Sequence, residues 1–297
     1  MGMDRLSLSV EALYEQVRAR VAVSADERPP ELVSVAPGIR VLALRTPTLP
    51  PAAHTNVYLL GPEAGPVAVV DPGSPYPDQQ AVLDGVLAQV PIEMVLLTHH
   101  HGDHVGGARA LAERWGVPIA AHAATARRLA DRIEVSITIE DGEIVHGATA
   151  VFTPGHAEGH LCFAYGDALI AGDMVAGIGT ILVDPSEGDM AQYMASLERM
   201  RARAEHVLLP AHGPAITNAH AKLTEYLAHR RMREDRVVAA LARGGAAGAE
   251  LGELVEIAYS DTPRILWPLA ERSLLAHLDK LVREDRARNV GDGRWSS

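Results

Sequence analysis

The stretch Thr98-His99-His100-His101-Gly102-Asp103-His104 holds the densest group of potential metal ligands in the chain. It follows an apolar run, Met94–Leu97, whose composition predicts a buried strand. A turn after that strand can direct His99 and His101 toward one metal ion, and Asp103 and His104 toward a second ion close by. Nitrogen and oxygen donors without a thiolate favour zinc, with iron or manganese as alternatives.

Three further donors follow predicted strands downstream. His156 comes after Val151–Gly155, Asp173 after Ala168–Gly172, and His212 after Val207–Ala211. Each donor alone is weak evidence, because a single histidine after a strand is more often structural than a metal ligand. Together with the heptapeptide they place donors at the ends of four strands, which predicts a metal site at the edge of a sheet sandwich.

This pattern resembles the metallo-β-lactamase superfamily. The family sequence His-x-His-x-Asp-His, followed by His, Asp and His, has a counterpart at every position. The matching residues are His99, His101, Asp103, His104, His156, Asp173 and His212. The run Val69-Val70-Asp71-Pro72-Gly73 is similar to the family's first motif, in which the aspartate buttresses the metal loop.

The resemblance implies an α/β fold, an αββα sandwich with two metal ions at one edge. It implies that His99, His101 and His156 hold the first ion. Asp103, His104 and His212 would hold the second ion, and Asp173 would bridge the two. Asp71 and His160 are expected to support the site from behind the ligands, although His160 could instead donate a proton to a leaving group.

The C-terminal third resembles the beta-lactamase-like protein 2 group, which joins a hydrolase domain to a winged helix and includes an endoribonuclease acting on single-stranded RNA. The segments that carry this resemblance are His212–Ile216, Asn218-Ala219, His229–Glu234, Glu253–Tyr259, Thr262-Pro263 and Leu274–Leu281. We therefore predict a catalytic domain at 1–218, with 1–36 as an N-terminal extension, and a winged-helix-like domain at 219–297.

The predicted C-terminal domain has three helices and a hairpin. The helices are expected at His220–Leu241, Leu251–Tyr259 and Ile265–Glu284, and Asp292-Gly293 favours a two-residue turn. A third helix that reads DNA would present basic side chains to the major groove. In the predicted third helix, basic and acidic residues alternate, so we expect this helix to pack on the catalytic domain as a lid.

Composition restricts the possible partners and compartment. One cysteine excludes a disulfide framework, and we find neither a secretory leader nor a run long enough to span a bilayer, so we expect a cytoplasmic protein with no membrane partner.

The net charge of the chain is −11. From Lys222 onward 13 basic and 12 acidic residues nearly balance, so the preceding residues carry −12 and attract polyanions poorly.

The hypothesis that follows is a binuclear, zinc-dependent hydrolase. A hydroxide bridging the two ions would attack an ester, thioester or lactone of a small molecule, with Asp103 orienting that hydroxide. The alternative is a single-stranded RNA endonuclease, favoured by the C-terminal resemblance and opposed by the charge. A winged-helix DNA-binding regulator and an iron-dependent sulfur dioxygenase are further alternatives. The sequence does not determine the oligomeric state.

Overall fold

The first of the two sheets of the sandwich is built from strands whose apolar side chains point alternately to its two faces. The computed structural model describes residues 10–21 and 30–297. Seven strands pair in chain order, antiparallel from the first to the fourth and parallel thereafter. They are β1 (Val33–Ala36), β2 (Ile39–Arg45), β3 (His54–Leu60), β4 (Val67–Val70), β5 (Ile92–Leu96), β6 (Ile119–Ala121) and β7 (Ile137–Thr138).

A second sheet of five strands packs against the first. Its order is β12-β11-β10-β9-β8, with only the β11–β12 pair parallel. The strands are β8 (Ile144–Val145), β9 (Ala148–Phe152), β10 (Leu161–Tyr165), β11 (Ala168–Gly172) and β12 (Val207–Pro210).

Helices cover the outer face of each sheet. The N-terminal helix is α1 (Val10–Arg20); the sequence pattern of 12–23 predicts an amphipathic helix, and the last two of these residues lie outside the described part of the chain. The helices within the sandwich are α2 (Pro77–Leu87), α3 (Gly102–Val105), α4 (Ala108–Trp115), α5 (Ala123–Leu129) and α6 (Met190–Arg201).

Three layers of buried apolar side chains hold the sandwich together, one between the two sheets and one beneath the helices on each outer face. They confirm the predicted αββα architecture. In β10, Leu161 and Phe163 face the layer between the sheets, whereas Cys162 faces the layer under α6. This two-residue alternation is the geometry of a strand buried on both faces. The sequence spaces apolar residues of 190–200 along one face of a helix, which predicts a core position, and in α6 this stripe packs into the same layer as Cys162.

The C-terminal unit confirms the predicted winged-helix pattern of three helices and a hairpin. Two short 3₁₀ turns, at Gly245–Ala247 and Arg264–Leu266, precede its second and third helices. Its elements are α7 (Ala219–Gly244), β13 (Ala249–Glu250), α8 (Leu251–Ala258), α9 (Trp267–Arg283), β14 (Arg288–Gly291) and β15 (Arg294–Ser296). The last two strands form the hairpin across Asp292-Gly293, and β15 also pairs with β13.

The long helix α7 belongs to both parts of the molecule. The Asn218 side chain caps it by accepting a hydrogen bond from the Ala221 N–H at 3.0 Å. Leu223 near its start packs under the second sheet, whereas Leu241 near its end lies in the winged-helix core. The boundary predicted between 218 and 219 therefore stays a prediction, because one helix contributes to both cores.

The third winged-helix element, α9, rests on the catalytic unit. Arg272 forms two hydrogen bonds with Asp184, at 2.6 and 2.7 Å, and Arg283 binds Asp189 at 2.6 Å. Lys280 pairs with Glu234 of α7 at 2.7 Å. These basic side chains are committed to contacts within the chain, as expected for a packed lid.

The sequence has helical spacing over Val105–Trp115, which predicts one helix there, but the structure differs. A four-residue helix, α3, carries the metal loop, and α4 starts only at Ala108 after a break at Gly106-Gly107. Glycine is a poor helix former, and here both glycines lie against the backbone of the Pro72–Ser74 turn. The longer helix was therefore a wrong prediction.

A membrane-crossing helix would need a long apolar stretch. Within residues 10–21 and 30–297, none of the helices combines the required length with the required hydropathy.

We predict that Glu234 stabilises the junction between α7 and α9 in a pH-dependent way. Its carboxylate is buried, and the nearby His277, with Lys280 and Arg286, lowers its pKa to about 2. Since this folded-state value lies below the usual 4.5, the stabilisation is complete above about pH 4.5 and declines as the pH falls toward 2. Glu234→Gln should lower the free energy of unfolding by about 2 kcal/mol at pH 7, and by less at pH 3.

Urea unfolding of the metal-free protein, followed by tryptophan fluorescence, measures this difference. The control is Glu225→Gln, an exposed residue of the same helix, which should change stability little at either pH. An equal loss at pH 7 and pH 3 in Glu234→Gln would contradict the assignment.

Candidate metal centre

The structure brings all seven predicted ligands to one edge of the sandwich, where they form two neighbouring groups. The first group contains His99, His101 and His156, whose facing ring nitrogens lie 3.0–3.3 Å apart. A tetrahedral ion with bonds of about 2.0–2.1 Å holds its ligand atoms roughly 3.3 Å apart. The three imidazoles therefore have the spacing of ligands to one ion.

The second group contains Asp103, His104 and His212. The Nε2 atom of His212 lies 3.5 Å from Oδ2 of Asp103, and Nε2 of His104 lies 3.9 Å from Oδ1 of the same carboxylate. The two histidines are buried, whereas Asp103 is partly open to the cavity beside it. The assignment of these residues to a second ion stays a prediction.

Asp173 lies between the two groups. Its Oδ2 atom is 3.5 Å from Nε2 of His156, and its Oδ1 atom is 3.3 Å from Nε2 of His212 and 3.5 Å from Nε2 of His104. One carboxylate oxygen thus faces each group. This is the placement required of a bridging ligand.

Two buried polar atoms test whether the site fits a cation. Nε2 of His104 and Oδ1 of Asp173 are inaccessible to water and have no hydrogen-bond partner among the residues that the structure describes. Buried polar atoms in folded proteins are nearly always paired, since an unpaired one costs free energy. A cation between these two atoms would give both a partner, so the residues fit a metal ion.

The outer ring nitrogens of the histidines are held by hydrogen bonds that fix each ring. In the first group, Nδ1 of His99 faces the Thr98 hydroxyl at 3.0 Å, and Nδ1 of His156 faces the Leu182 carbonyl at 2.8 Å. In the second group, Nδ1 of His212 faces the His54 carbonyl at 3.0 Å. Such contacts select the ring nitrogen that points at the metal.

Asp71 ties the loop to the sheet, as the resemblance implies. Its carboxylate accepts hydrogen bonds from the Thr98 N–H at 2.8 Å and the Thr98 hydroxyl at 2.6 Å, and it faces Nδ1 of His104 at 2.9 Å. Asp71 has a φ of 51°, which is strained for a residue with a side chain. Nearby, Gly73 approaches the loop so closely that a Cβ would lie 1.8 Å from the Asp103 carbonyl oxygen.

His160 supports Asp173 from behind. It is fully buried, its Nδ1 atom lies 2.8 Å from the Thr153 hydroxyl, and its Nε2 atom accepts the Asp173 N–H at 3.1 Å. A Cβ on Gly172, which has a φ of +48°, would lie 2.6 Å from that same Nε2 atom. With both nitrogens occupied and no exposure, His160 positions a ligand and is poorly placed to protonate a leaving group.

Glu187 is a site residue that the sequence reasoning missed. Its Oε1 atom lies 3.0 Å from Nε2 of His101, and its Oε2 atom lies 3.0 Å from Nε2 of His100. It therefore holds the outer nitrogen of one predicted ligand. Glu187 lies near the far end of the loop between β11 and α6 and matches no spacing rule, so the sequence carried no signal for it.

Electrostatics distinguish the two groups of ligands. Burial, together with neighbouring imidazoles, lowers the pKa of His99 well below its ordinary value and that of His156 to about 4. Burial alone would also lower the pKa of His104, but the carboxylates of Asp173 and Asp103 outweigh it and raise that pKa well above its ordinary value. His99 and His156 therefore offer neutral nitrogens, whereas at His101 the Glu187 carboxylate outweighs burial and raises the pKa. A metal bound at the second group would displace a proton from His104.

A cavity of about 620 Å³ opens beside the metal-ligand set. Its walls come from α1, the 47–52 and 176–182 loops, and the winged helix, including Leu266, Leu269 and Ala270. This volume lies within the range of small-molecule sites. The arginines that line it are Arg18, Arg128, Arg132, Arg230 and Arg233.

Comparison with known proteins gives the same family as the ligand pattern. The profile of the metallo-beta-lactamase superfamily matches residues 50–212, and that of the beta-lactamase associated winged helix domain matches residues 251–295. The second match begins at α8.

Similar proteins match along most of the chain. Lactamase-like protein vrtG of Penicillium aethiopicum is 35% identical over 276 residues, covering 82% of this chain and 84% of its own length. The beta-lactamase-like protein 2 homolog of Drosophila melanogaster is 30% identical over 267 residues, covering 84% and 89%. A beta-lactamase domain protein from Burkholderia ambifaria shares the fold, with 24% identity, a TM-score of 0.74, and coverage of 91% and 97%.

We predict that Glu187 strengthens metal binding by fixing the His101 ring. Glu187→Gln removes the charge that faces His101 and should weaken the tighter metal-binding step by about 10- to 100-fold. Competition titration of the metal-free protein against a chromophoric chelator measures this affinity. Glu198→Gln, on the surface of α6, is the control and should bind metal as the unmodified protein does. Unchanged affinity in Glu187→Gln would refute this role.

Proposed function

The chain belongs to the metallo-β-lactamase superfamily, and we propose that it is a binuclear zinc-dependent hydrolase acting on an ester, thioester or lactone bond of a small molecule. The observation that carries this proposal is the seven-residue donor set, which opens onto a cavity of small-molecule size. The donors are imidazoles and carboxylates without a thiolate, a set that suits zinc.

The residues that would hold the first ion are His99, His101 and His156, and those that would hold the second are Asp103, His104 and His212, with Asp173 shared. When bound, such ions supply Lewis acidity toward a carbonyl oxygen and make water acidic enough to attack it near neutral pH. The chain itself then has to position water, hold its proton and shape the substrate site.

Asp103 is the residue best placed to handle the nucleophilic water. Its side chain is 15% exposed, against 10% for Asp173, and it lines the cavity. A carboxylate in this place orients water by accepting its hydrogen bond and can take its proton during attack. The position of Asp103 in the first turn of the short helix α3 leaves it facing the substrate side of the ligand set.

The cavity walls select the substrate. Apolar side chains of the 176–182 loop and of the winged helix contribute much of the lining, together with the arginines. Apolar walls exclude water from the reacting bond and bury the body of a small acyl compound. Since α9 uses Arg272, Lys280 and Arg283 for contacts within the chain, the winged helix serves this proposal as a wall of the cavity.

Single-stranded RNA is the second candidate substrate, and it rests on the similarity to the beta-lactamase-like protein 2 homolog together with the arginines at the cavity. The chain's net charge of −11 opposes binding of a long polyanion. A small acyl substrate fits this charge balance better. A winged-helix regulator of DNA would need the basic face of α9 that the intramolecular ion pairs already occupy.

We expect metal removal or Asp103→Asn to abolish most hydrolysis. Chelation should reduce the rate to background and zinc should restore it, whereas Asp103→Asn should lower kcat/KM by about 10²- to 10⁴-fold. Asp235→Asn, an exposed change on α7, is the control and should keep full activity. Full activity in chelated protein would refute the metal-dependent mechanism.

The substrate class is tested by a panel of aryl esters, acyl thioesters, lactones and labelled single-stranded RNA with zinc-loaded protein. We expect turnover of at least one acyl class and intact RNA. RNA cleavage that is lost in Asp103→Asn, without acyl turnover, would replace the proposed function by the phosphodiesterase.

A further inference from the structure

Arg230 presents a buried positive charge to the cavity. The residue is 3% exposed and lies on the face of α7 that lines the cavity. Its Nη2 atom donates to the Ile181 carbonyl, and its guanidinium lies 5.0 Å from the centroid of the Tyr193 ring. Its Nε atom is buried and lacks a hydrogen-bond partner in the described parts of the chain.

Among residues 10–21 and 30–297, Arg230 forms no ion pair with a carboxylate. Two other arginines differ in this respect, since the buried Arg233 pairs with Asp261 at 2.8 Å and the partly buried Arg272 pairs with Asp184 at 2.6 Å. A guanidinium keeps its charge at every physiological pH, so burial cannot neutralise it as it can a histidine or lysine. A buried charge without a counter-ion is unfavourable, and an anionic ligand would remove that cost.

The 176–182 loop connects Arg230 to the metal-ligand set. Arg230 binds the carbonyl of Ile181, and the predicted ligand His156 binds the next carbonyl, that of Leu182, at 2.8 Å. One turn earlier on α7, the Tyr226 hydroxyl accepts the Ala176 N–H at 2.8 Å. The loop that holds one predicted ligand thus also holds the guanidinium, and both groups face the same cavity.

Charge around the cavity is opposite in sign to that of the whole chain. Five arginines line it, against three carboxylates, those of Asp103, Asp173 and Glu187. All three carboxylates belong to or contact the metal-ligand set, so the part of the lining around Arg230 is positive. His229 is adjacent, and burial together with Arg230 and Arg233 lowers its pKa to about 4, which leaves a neutral imidazole able to donate a hydrogen bond.

We infer that Arg230 is a binding residue for a carboxylate on the substrate, held in the cavity while the scissile acyl bond lies at the metal-ligand set. This inference rests on the proposed hydrolase function and narrows its substrate to acyl compounds that carry an anionic carboxylate. The planar guanidinium forms paired hydrogen bonds with a carboxylate, which a point charge such as lysine does not reproduce. Apolar walls at Leu266 and Leu269 suit the hydrocarbon part of such a compound.

A binding experiment tests the site without requiring catalysis. Metal-free protein is titrated calorimetrically with hexanoate and with hexanamide, its neutral counterpart of similar shape. The unmodified chain should bind hexanoate more tightly than hexanamide, and Arg230→Gln should weaken hexanoate binding by about 10- to 100-fold. Arg231→Gln, the exposed neighbour on α7, should bind as the unmodified chain does. Equal hexanoate affinity in Arg230→Gln, or none in the unmodified chain, would overturn the inference.

A kinetic experiment then connects the site to turnover. Zinc-loaded protein is given two aryl esters that differ only in whether the acyl chain ends in a carboxylate or a methyl group. We expect a preference for the carboxylate ester, expressed mainly in KM, that falls at least tenfold in Arg230→Gln. Arg230→Lys keeps a positive charge in case the glutamine variant fails to fold, and it should lose part of the preference.

The two proposals fail in different ways. Hydrolysis of both esters at equal efficiency, unaltered by the Arg230 variants, would refute the carboxylate site and leave the hydrolase. Carboxylate binding that depends on Arg230, with no ester or thioester turnover, would refute the hydrolase and leave the binding site.

Discussion

The structure depends on the crowding of buried imidazole and carboxylate groups at one edge of the sandwich. Three ring nitrogens lie 3.0–3.3 Å apart, and the oxygens of Asp173 face both groups of histidines. Among the described residues, the Nε2 atom of His104 and an oxygen of Asp173 are buried without a hydrogen-bond partner. Such atoms cost free energy, and a cation bound at the centre would offset that cost.

The scaffold keeps this arrangement rigid by holding each donor from behind. Asp71 in its left-handed conformation binds Thr98 and His104, His160 binds the backbone of Asp173, and Glu187 holds His101. The loops that carry the donors start where strands end, so the sheets fix their origins. Helix α7 and the winged helix close the site from the other side, and α7 contributes two of the five arginines that line the cavity of this acidic chain.

The sequence was sufficient for the features that depend on local pattern. Alternating apolar runs predicted the strands, and the donors after them, with the family resemblance, predicted which side chains meet. Features set by packing between distant elements were not predictable. Glu187 has no spacing signal, the burial of Arg230 follows from its packing against the 176–182 loop, and the break at Gly106-Gly107 follows from contact with the Pro72–Ser74 turn. The net charge of −11 also gave no indication of the five arginines that line the cavity.

The metal content of the folded protein tests the central claim most directly. The purified chain would be stripped of metal, equilibrated at neutral pH with micromolar free zinc, and measured by elemental analysis after dialysis. The convergent donor set predicts two zinc ions per chain in the unmodified protein and fewer than two in His104→Ala. Fewer than one ion per chain in properly folded protein would contradict the account.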